Sequence, residues 1–441
     1  MGRKLRGRRQ PKKTALGKPE TLTLTIDQLG AQGDGIAVWQ GKSLFISGAV
    51  PGETLRAAYR PSRGQQRAEL LEVLESSSDR VVPPCPHFGP CGGCNLQHLG
   101  PEPYRDWKRQ LLVTALKRRG FASTDDLVAP LVIVPAGSRR RVTWAAQKRG
   151  GQVTLGFYGE RSHSLVGLQR CLLLVPALEA LLASLPAVLE RLLRDGQKAS
   201  VHASESEAGV AMLLSLPEAL NLAARETLAA FAERADLAHL SVSLAGEAPE
   251  PLAARRHPWV SFAGLRVSLP EAAFLQPSTE GETWLQEAVL QAVPVGVEQV
   301  ADLFSGLGTF TLPLVKRGHR LLAVESDAVA LSSLQAAARS AGLGDRVTIE
   351  QRDLDRQPLQ ASDLKLFDAL IFDPPRAGAA AQAELLAEAG PPAVVAVSCN
   401  PASFARDAAT LCAGGYDLRR VQPLDQFPWS HHLELVALFA R

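Results

Sequence analysis

From about residue 299 to the end of the chain, apolar runs of strand length alternate with stretches of helical spacing, a pattern few architectures can satisfy. VADLFS, RLLAVES, VTIEQRD, FDALIFD and AVVAVSC read as strands. FTLPLVKRG, DAVALSSLQAAARSAG, AQAELLAEAG and SFARDAATLCAGG read as helices, the first two ending at Gly318 and Gly342. Two further strands, YDLRRVQPL and HLELVALFA, close the chain. Parallel neighbours need a crossover between them, and right-handed crossovers place helices on both faces of one sheet. Residues 266–441 are therefore expected to form a doubly wound, Rossmann-like α/β domain. Its chemistry is expected beyond the carboxyl ends of the strands.

Several polar residues fall on that rim. Gly306 and Gly308 permit a tight turn from the first strand into the first helix. Thr311 occupies the third glycine position of G-x-G-x-x-G, so a dinucleotide fingerprint is a poor match. Glu325 ends the second strand, where a carboxylate can bind both hydroxyls of a ribose. Asp353 ends the third, where an adenine would lie, and Asp373 ends the fourth in FDPPR. This set resembles a class I S-adenosylmethionine site; another kind of nucleotide-binding Rossmann domain is the competing reading. Arg376 stands where amino-group methyltransferases carry an aromatic residue, so a target atom other than an exocyclic amine is expected.

Cys399 ends the fifth strand on the same rim, and Pro401 begins a helix directly after it. A helix N-terminus is expected to lower the thiol pKa and favour thiolate. A strand-end cysteine is also a common core residue, and Cys412, inside a helix, is assigned to that class. Glu434 lies in an apolar terminal strand, where a carboxylate is either at an exposed mouth or functional. The two have a joint logic. Uracil C5 is a poor nucleophile until a thiolate adds at C6; a base must then remove the C5 proton before the thiol can leave.

The rest of the chain adds three features. Residues 1–20 hold eight Lys/Arg and one Glu, leaving 40 basic and 44 acidic residues in the other 421. Residues 1–19 thus read as a disordered basic tail suited to phosphate contact, or as a solubilising extension. Residues 20–78 carry about five short strands with Gly/Pro turns, expected to form an OB-like β-barrel. With Gly33-Asp34-Gly35-Ile36-Ala37, that segment resembles a TRAM domain, an RNA-binding barrel.

Residues 79–265 form a central segment with a cysteine run, Cys85-x5-Cys91-x2-Cys94, and a distant Cys171. Four thiolates can hold zinc or a 4Fe–4S cluster, and a three-plus-one arrangement looks more like a cluster. Residues 101–128 read as a helix ending at Gly120, with Arg105, Lys108, Arg109, Lys117, Arg118 and Arg119 on its face. Arg139, Arg140, Arg141, Lys148 and Arg149 flank RVTWAAQ. These cations either line an RNA path, with Trp144 as a stacking surface, or form a solvated face over a core tryptophan. Residues 172–270 alternate helical and strand patterns without a usable motif. Six cysteines in 441 residues are too few for a disulfide scaffold. No apolar run is long enough to span a membrane and no secretory signal is evident, so a cytoplasmic protein without a membrane partner is expected.

In combination, DLFSGLGTFTLPL, DPPRAG, SCNP and DQFPWSHHLELVALF closely resemble the RNA (uracil-5-)-methyltransferases, and most closely the TRAM- and iron–sulfur-containing branch that acts on 23S ribosomal RNA. The resemblance runs from about Thr21 to Arg441. It implies a multidomain enzyme with an N-terminal barrel, a central α+β iron–sulfur domain and a class I methyltransferase domain. It implies S-adenosyl-L-methionine and a 4Fe–4S cluster as cofactors, Cys399 as nucleophile and Glu434 as base. Gln276, Phe304, Thr309, Glu325, Asp353 and Asp373 match cofactor positions, and Cys85, Cys91, Cys94 and Cys171 match cluster ligands. The family's usual Q-x-N ends here in Ser278, and its usual CGLGN carries Ser305 and Thr309, so one substrate or cofactor contact at Ser278 is expected to differ. A monomer making 5-methyluridine in 23S ribosomal RNA is expected. Transfer RNA as substrate, and a non-catalytic iron–sulfur RNA-binding protein, are the alternatives.

Overall fold

The computed structural model describes residues 20–61, 66–244 and 247–441; the basic tail expected at residues 1–19 lies outside them. The chain divides into two units, Met1–Pro84 with Asn95–Tyr104, and Cys85–Cys94 with Arg105–Arg441.

The first unit is a six-stranded sheet in the order Glu20–Thr25, Thr54–Tyr59, Arg67–Glu75, Lys42–Ile46, Gly35–Trp39, Gln28–Leu29. Period-two alternation sets its inner face: Leu55, Ala57 and Tyr59 point inward and meet Leu24, Ile26, Leu44 and Ile46. The Gly-Asp-Gly motif has a packing reason. A Cβ at Gly35 would lie 2.8 Å from that of Ala49. The buried Asp34 accepts from Ser47 Oγ at 2.7 Å and from the guanidinium fork of Arg67.

The second unit holds two large sheets. One has seven strands, in the order Leu165–Gly167, Gln152–Tyr158, Arg141–Arg149, Lys198–Ser206, Gly209–Leu216, His239–Leu244, Glu250–Ala254. Helices Leu181–Leu192 and Leu222–Arg234 bury Leu185, Leu189, Leu228 and Phe231 against it. Trp144 is fully buried in this core, so the core reading holds and it is no stacking surface.

The other sheet has eight strands, in the order Val347–Gln351, Arg320–Glu325, Gln299–Leu303, Ala369–Phe372, Ala393–Ser398, Glu434–Ala440, Asp417–Asp425, Val132–Ile133. The first five are parallel, and Glu434–Ala440 is antiparallel to both its neighbours. Val132–Ile133, from far earlier in the chain, adds a parallel edge. The chain order reverses between Gln299–Leu303 and Ala369–Phe372, which opens a crevice at the strands' carboxyl ends.

Helix Pro101–Lys117 ends, as expected, at the turn made by Gly120 with φ of 88°, and a separate short helix, Thr124–Leu127, follows. Leu112, Val113 and Leu116 of the longer helix join the core formed by Val421, Leu435 and Phe439. Of its cations, Arg105, Lys108 and Arg109 are tied within the fold, while Lys117, Arg118 and Arg119 are exposed. Arg105 donates to Leu131 O at 2.9 Å and Arg109 to Asp125 O at 2.8 Å, and Lys108 is fully buried. No helix among the described residues is long and apolar enough to cross a membrane.

Candidate active site

At the carboxyl rim of the eight-stranded sheet lies a cavity of about 630 Å³. Cys399 and Glu434 line it, and so do Gln276, Phe304, Thr309, Glu325, Asp353 and Asp373. Residues spread over almost 160 positions of sequence thus meet in one space.

One side is built by the turn after Gln299–Leu303. Phe304 sits at φ of 62°, a conformation that is costly for a side chain with a Cβ and is held here by the packed turn. Gly308 sits at φ of 91°, and a Cβ there would stand 2.4 Å from Leu334 Cδ1. The Glu325 carboxylate is tied to this turn: it accepts from Gly306 N at 3.1 Å, and from Ser326 N and Asp327 N at 2.6 and 3.0 Å. Asp353 is exposed at the cavity edge and pairs with Arg356 at 3.3 Å. Beneath the turn, Asp302 is fully buried. Thr311 Oγ1 donates to its Oδ2 at 2.5 Å, while Oδ1 and the nearby Ser305 Oγ have no partner among the described residues. Burial, with Asp373 and Glu325 adding repulsion, pushes its carboxyl up to about 7. Its only sequence signal is an acid inside the apolar run VADLF.

On the other side stand Cys399, Asp373 and Glu434. Cys399 follows strand Ala393–Ser398, and Asn400 caps helix Pro401–Ala413 by accepting from Ala402 N at 3.1 Å. Asn400 Nδ2 and Ser403 Oγ both donate to Arg376 O, at 2.9 and 3.1 Å, so the DPPR loop is bound to the cysteine loop. The helix N-terminus does not leave this thiol as thiolate, contrary to the expectation. Burial, then the carboxyls of Glu434 and Asp373, push it up to about 12, and Arg376 opposes only in part. Burial raises Asp373 to about 7. Burial and Asp373 raise Glu434 to about 8, against the pull of Gln426, Arg141 and Lys108.

Gln276 joins this set through hydrogen bonds. Its Nε2 reaches Asp373 Oδ2 at 3.5 Å, and its Oε1 accepts from Gln426 Nε2 at 2.8 Å. The buried Arg140 donates to Gln276 O at 3.1 Å and pairs with Glu282 at 2.5 Å, fixing that loop. Ser278 does not line the cavity; its Oγ accepts from Gly281 N at 3.1 Å as the N-cap of helix Thr279–Ala292. Arg139 and Arg141 do line it, and Arg141 stacks 4.5 Å over the exposed ring of Phe274 at the same wall. His432 lines the cavity, but burial and the neighbouring His431 and cations hold its pKa down at about 3.

The cysteines of the central segment are neighbours. Burial raises the Cys91 and Cys171 thiols; Cys85 adds to both shifts, and Cys91 to that of Cys171. Arg139 feels the charge of Cys171 and Cys94. The backbone around them is close: a Cβ at Gly92 would lie 2.7 Å from Tyr158 O. As placed, no group of three or more metal-ligating side chains is drawn together tightly enough to hold an ion among the described residues. The soft donor set fits an iron–sulfur cluster in kind; the side chains are adjacent without being converged.

Comparison with known proteins gives a consistent outcome. Residues 263–441 match the family model described as tRNA (uracil-5-)-methyltransferase. An RNA methyltransferase of Brucella melitensis is 40% identical over 96% of this chain and 98% of its own length. The 23S rRNA (uracil(1939)-C(5))-methyltransferase RlmD of Shewanella piezotolerans is 35% identical over 95% of each chain. Among solved structures, the Pyrococcus abyssi tRNA (uracil-54, C5)-methyltransferase bound to S-adenosyl-L-homocysteine superposes with a TM-score of 0.73 at 22% identity, covering 95% of this chain and 99% of its own.

Proposed function

The chain belongs to the RNA uracil-5-methyltransferase family, and on that premise we propose that Cys399 is its nucleophile, Glu434 its base and 23S ribosomal RNA its substrate. The enzyme methylates uridine C5 in RNA and draws the methyl group from S-adenosylmethionine. What supports the residue roles is a single observation: Cys399 and Glu434 share one cavity with Asp373, and the two carboxyls raise the thiol's hold on its proton.

In the proposed sequence the Cys399 thiol releases its proton to solvent, its sulfur bonds to uracil C6, and the C5–C6 π electrons move onto the C4 carbonyl oxygen. They return through C5 to form the bond to the methyl carbon, while the methyl–sulfur bond breaks and its electron pair stays on the donor sulfur. Glu434 then takes the C5 proton. The freed pair rebuilds the C5–C6 double bond and expels the cysteine sulfur. The donor is held by Glu325 at the ribose, Asp353 at the adenine, Phe304 and Thr309 along the turn, and Gln276 and Asp373 towards the reacting pair. Its sulfonium charge opposes the carboxyls that keep Cys399 protonated, so the thiol is activated only in the loaded site.

The 23S reading rests on the cysteine set, the six-stranded N-terminal unit read as an RNA-binding barrel, and the full-length likeness to the Shewanella enzyme. The family model's description and the Pyrococcus neighbour favour transfer RNA as the second reading. Mapping 5-methyluridine in both RNAs from cells lacking this enzyme decides. Loss from 23S ribosomal RNA is expected; loss confined to transfer RNA would replace the reading. We further propose a structural 4Fe–4S cluster on Cys85, Cys91, Cys94 and Cys171, supported by their thiol chemistry and proximity. Anaerobically purified protein is expected to carry about four irons per chain; stoichiometric zinc without iron would overturn it.

A further inference from the structure

The buried Lys108 stands outside the chemistry so far assigned. It lies on helix Pro101–Lys117 and is wholly enclosed. Its Nζ donates to Asp425 Oδ1 at 2.8 Å and to the carbonyl oxygen of His432, residues more than 300 positions away. Those two acceptors are the two ends of one connection. Strand Asp417–Asp425 ends at the first, and strand Glu434–Ala440 begins two residues after the second. Between them run Phe427, Pro428, Ser430 and His432 of the cavity wall. Asp425 Oδ1 also accepts from Phe427 N at 3.0 Å, which turns the chain into the loop. A single ammonium therefore closes the neck of the loop that delivers Glu434.

We propose that Lys108 is a positioning residue for the methyl transfer: it closes the loop that carries Glu434 and places its positive charge at that loop's neck. The proposal rests on the assignment of Glu434 as base. Burying an ammonium is costly unless it is paired and hydrogen-bonded, and packing alone would be served by an apolar side chain at this helix position. The electrostatics agree in direction. Glu434 is raised by burial and by Asp373, and lowered by Gln426, Arg141 and Lys108. Cys399 faces it from the fifth strand, and His432 lines the same cavity. Lys108 in turn is pushed down by burial and held up by Asp425 and Glu434. Asp425 helps to hold that ammonium charged, so removal of either partner is expected to weaken the pull on Glu434.

The test follows the decay of the methylated covalent adduct in the full-length enzyme. A single turnover with methyl-labelled donor and RNA is quenched over time across a pH series, and adduct is counted on denaturing gels. Proton removal needs ionised Glu434, so release rises with pH through an acid limb. Lys108→Gln keeps a hydrogen-bond donor without the charge and is expected to move that limb up. Lys108→Arg restores the charge and should return it towards the wild-type position, even if all steps are slower. Asp425→Asn keeps an oxygen for Lys108 Nζ and Phe427 N but withdraws the carboxylate that holds Lys108 charged, and should move the limb up in the same direction as Lys108→Gln. Parallel slowing of adduct formation and release with the limb unmoved, in Lys108→Gln or in Asp425→Asn, would overturn the proposal. If Lys108→Gln does not fold, as judged by its failure to bind donor, the direction of the Asp425→Asn shift decides alone. Loss of folding in both would overturn it too, marking the pair as scaffold only. Glu434→Gln in the same assay separates the two readings. A stalled methylated adduct with an unmoved Lys108 limb removes only the present proposal, whereas normal release from Glu434→Gln removes the base assignment itself.

Discussion

At the scale of single residues, the cavity concentrates groups that resist ionisation: a thiol raised to about 12 and carboxyls raised to about 7 and about 8. With Cys399 as the proposed nucleophile, Cys399→Ala should neither methylate RNA nor form any denaturation-resistant adduct. Glu434→Gln should still add and still transfer methyl, then hold the RNA as a covalent complex visible by gel shift. An adduct with Cys399→Ala would sink the scheme. The same carboxyl has a cost in stability. In the unfolded chain it titrates near its ordinary value of 4.5, and in the folded one near 8. Between those values the folded state binds more protons than the unfolded chain, so stability falls as pH rises through that window. Glu434→Gln removes this loss. Its Tm should exceed that of the wild type by more at about pH 8 than at about pH 5, and an equal gap at both would show that the carboxyl is not held protonated.

At the scale of elements, the glycine turn and the helix cap each depend on one contact. Gly308→Ala would place a methyl group against Leu334 in a backbone conformation that alanine disfavours. Overpacking of that kind costs about 1–3 kcal/mol. Donor affinity by calorimetry is expected to fall about tenfold, because the turn that holds Glu325 must shift. Ser278→Ala removes the acceptor for Gly281 N and should destabilise the unit by about 1 kcal/mol in denaturant. Ser278→Asn keeps a capping oxygen and should cost far less, which gives a physical reading of the family's asparagine at this place. These elements are legible in the sequence because their signals are local. Apolar runs mark all seven strands between residues 299 and 441, and the rim residues follow from where each run ends. Val132–Ile133 is not legible, since a two-residue edge strand carries no period. Nor is the buried state of Lys108, whose partner Asp425 is supplied by tertiary structure. Trp144 and Lys108 both sit where a charge-rich pattern reads as surface, and packing overrides that pattern. The thiol of Cys399 departs from its expectation for a related reason: the helix N-terminus is local, whereas the two carboxyls that outweigh it arrive from other strands.

At the scale of the whole molecule, charge is partitioned along the chain rather than balanced throughout. Eight Lys/Arg and one Glu occupy residues 1–20, while acidic residues outnumber basic ones 44 to 40 in the remainder. Part of the basic character of the helix beginning at Pro101 is internal, through Lys108, Arg105 and Arg109. Arg140 is likewise committed to Glu282. Cations committed to the fold are less available to a polyanion, and residues 1–20 carry eight basic residues against one acidic. Affinity supplied that way comes from counterion release, is nearly independent of sequence, and weakens steeply with salt. Removing residues 1–18 should therefore weaken RNA binding at low salt. The plot of log affinity against log salt should flatten by about 0.7 for each single-strand phosphate that the truncated enzyme no longer neutralises. Donor binding, and the choice of uridine at saturating RNA, should stay as they are, because the cavity lies wholly within residues 93–434. An unchanged salt slope in the truncated enzyme would assign the electrostatic affinity to the folded body instead. Arg139 and Arg141 at the cavity wall would then be the first cations to test.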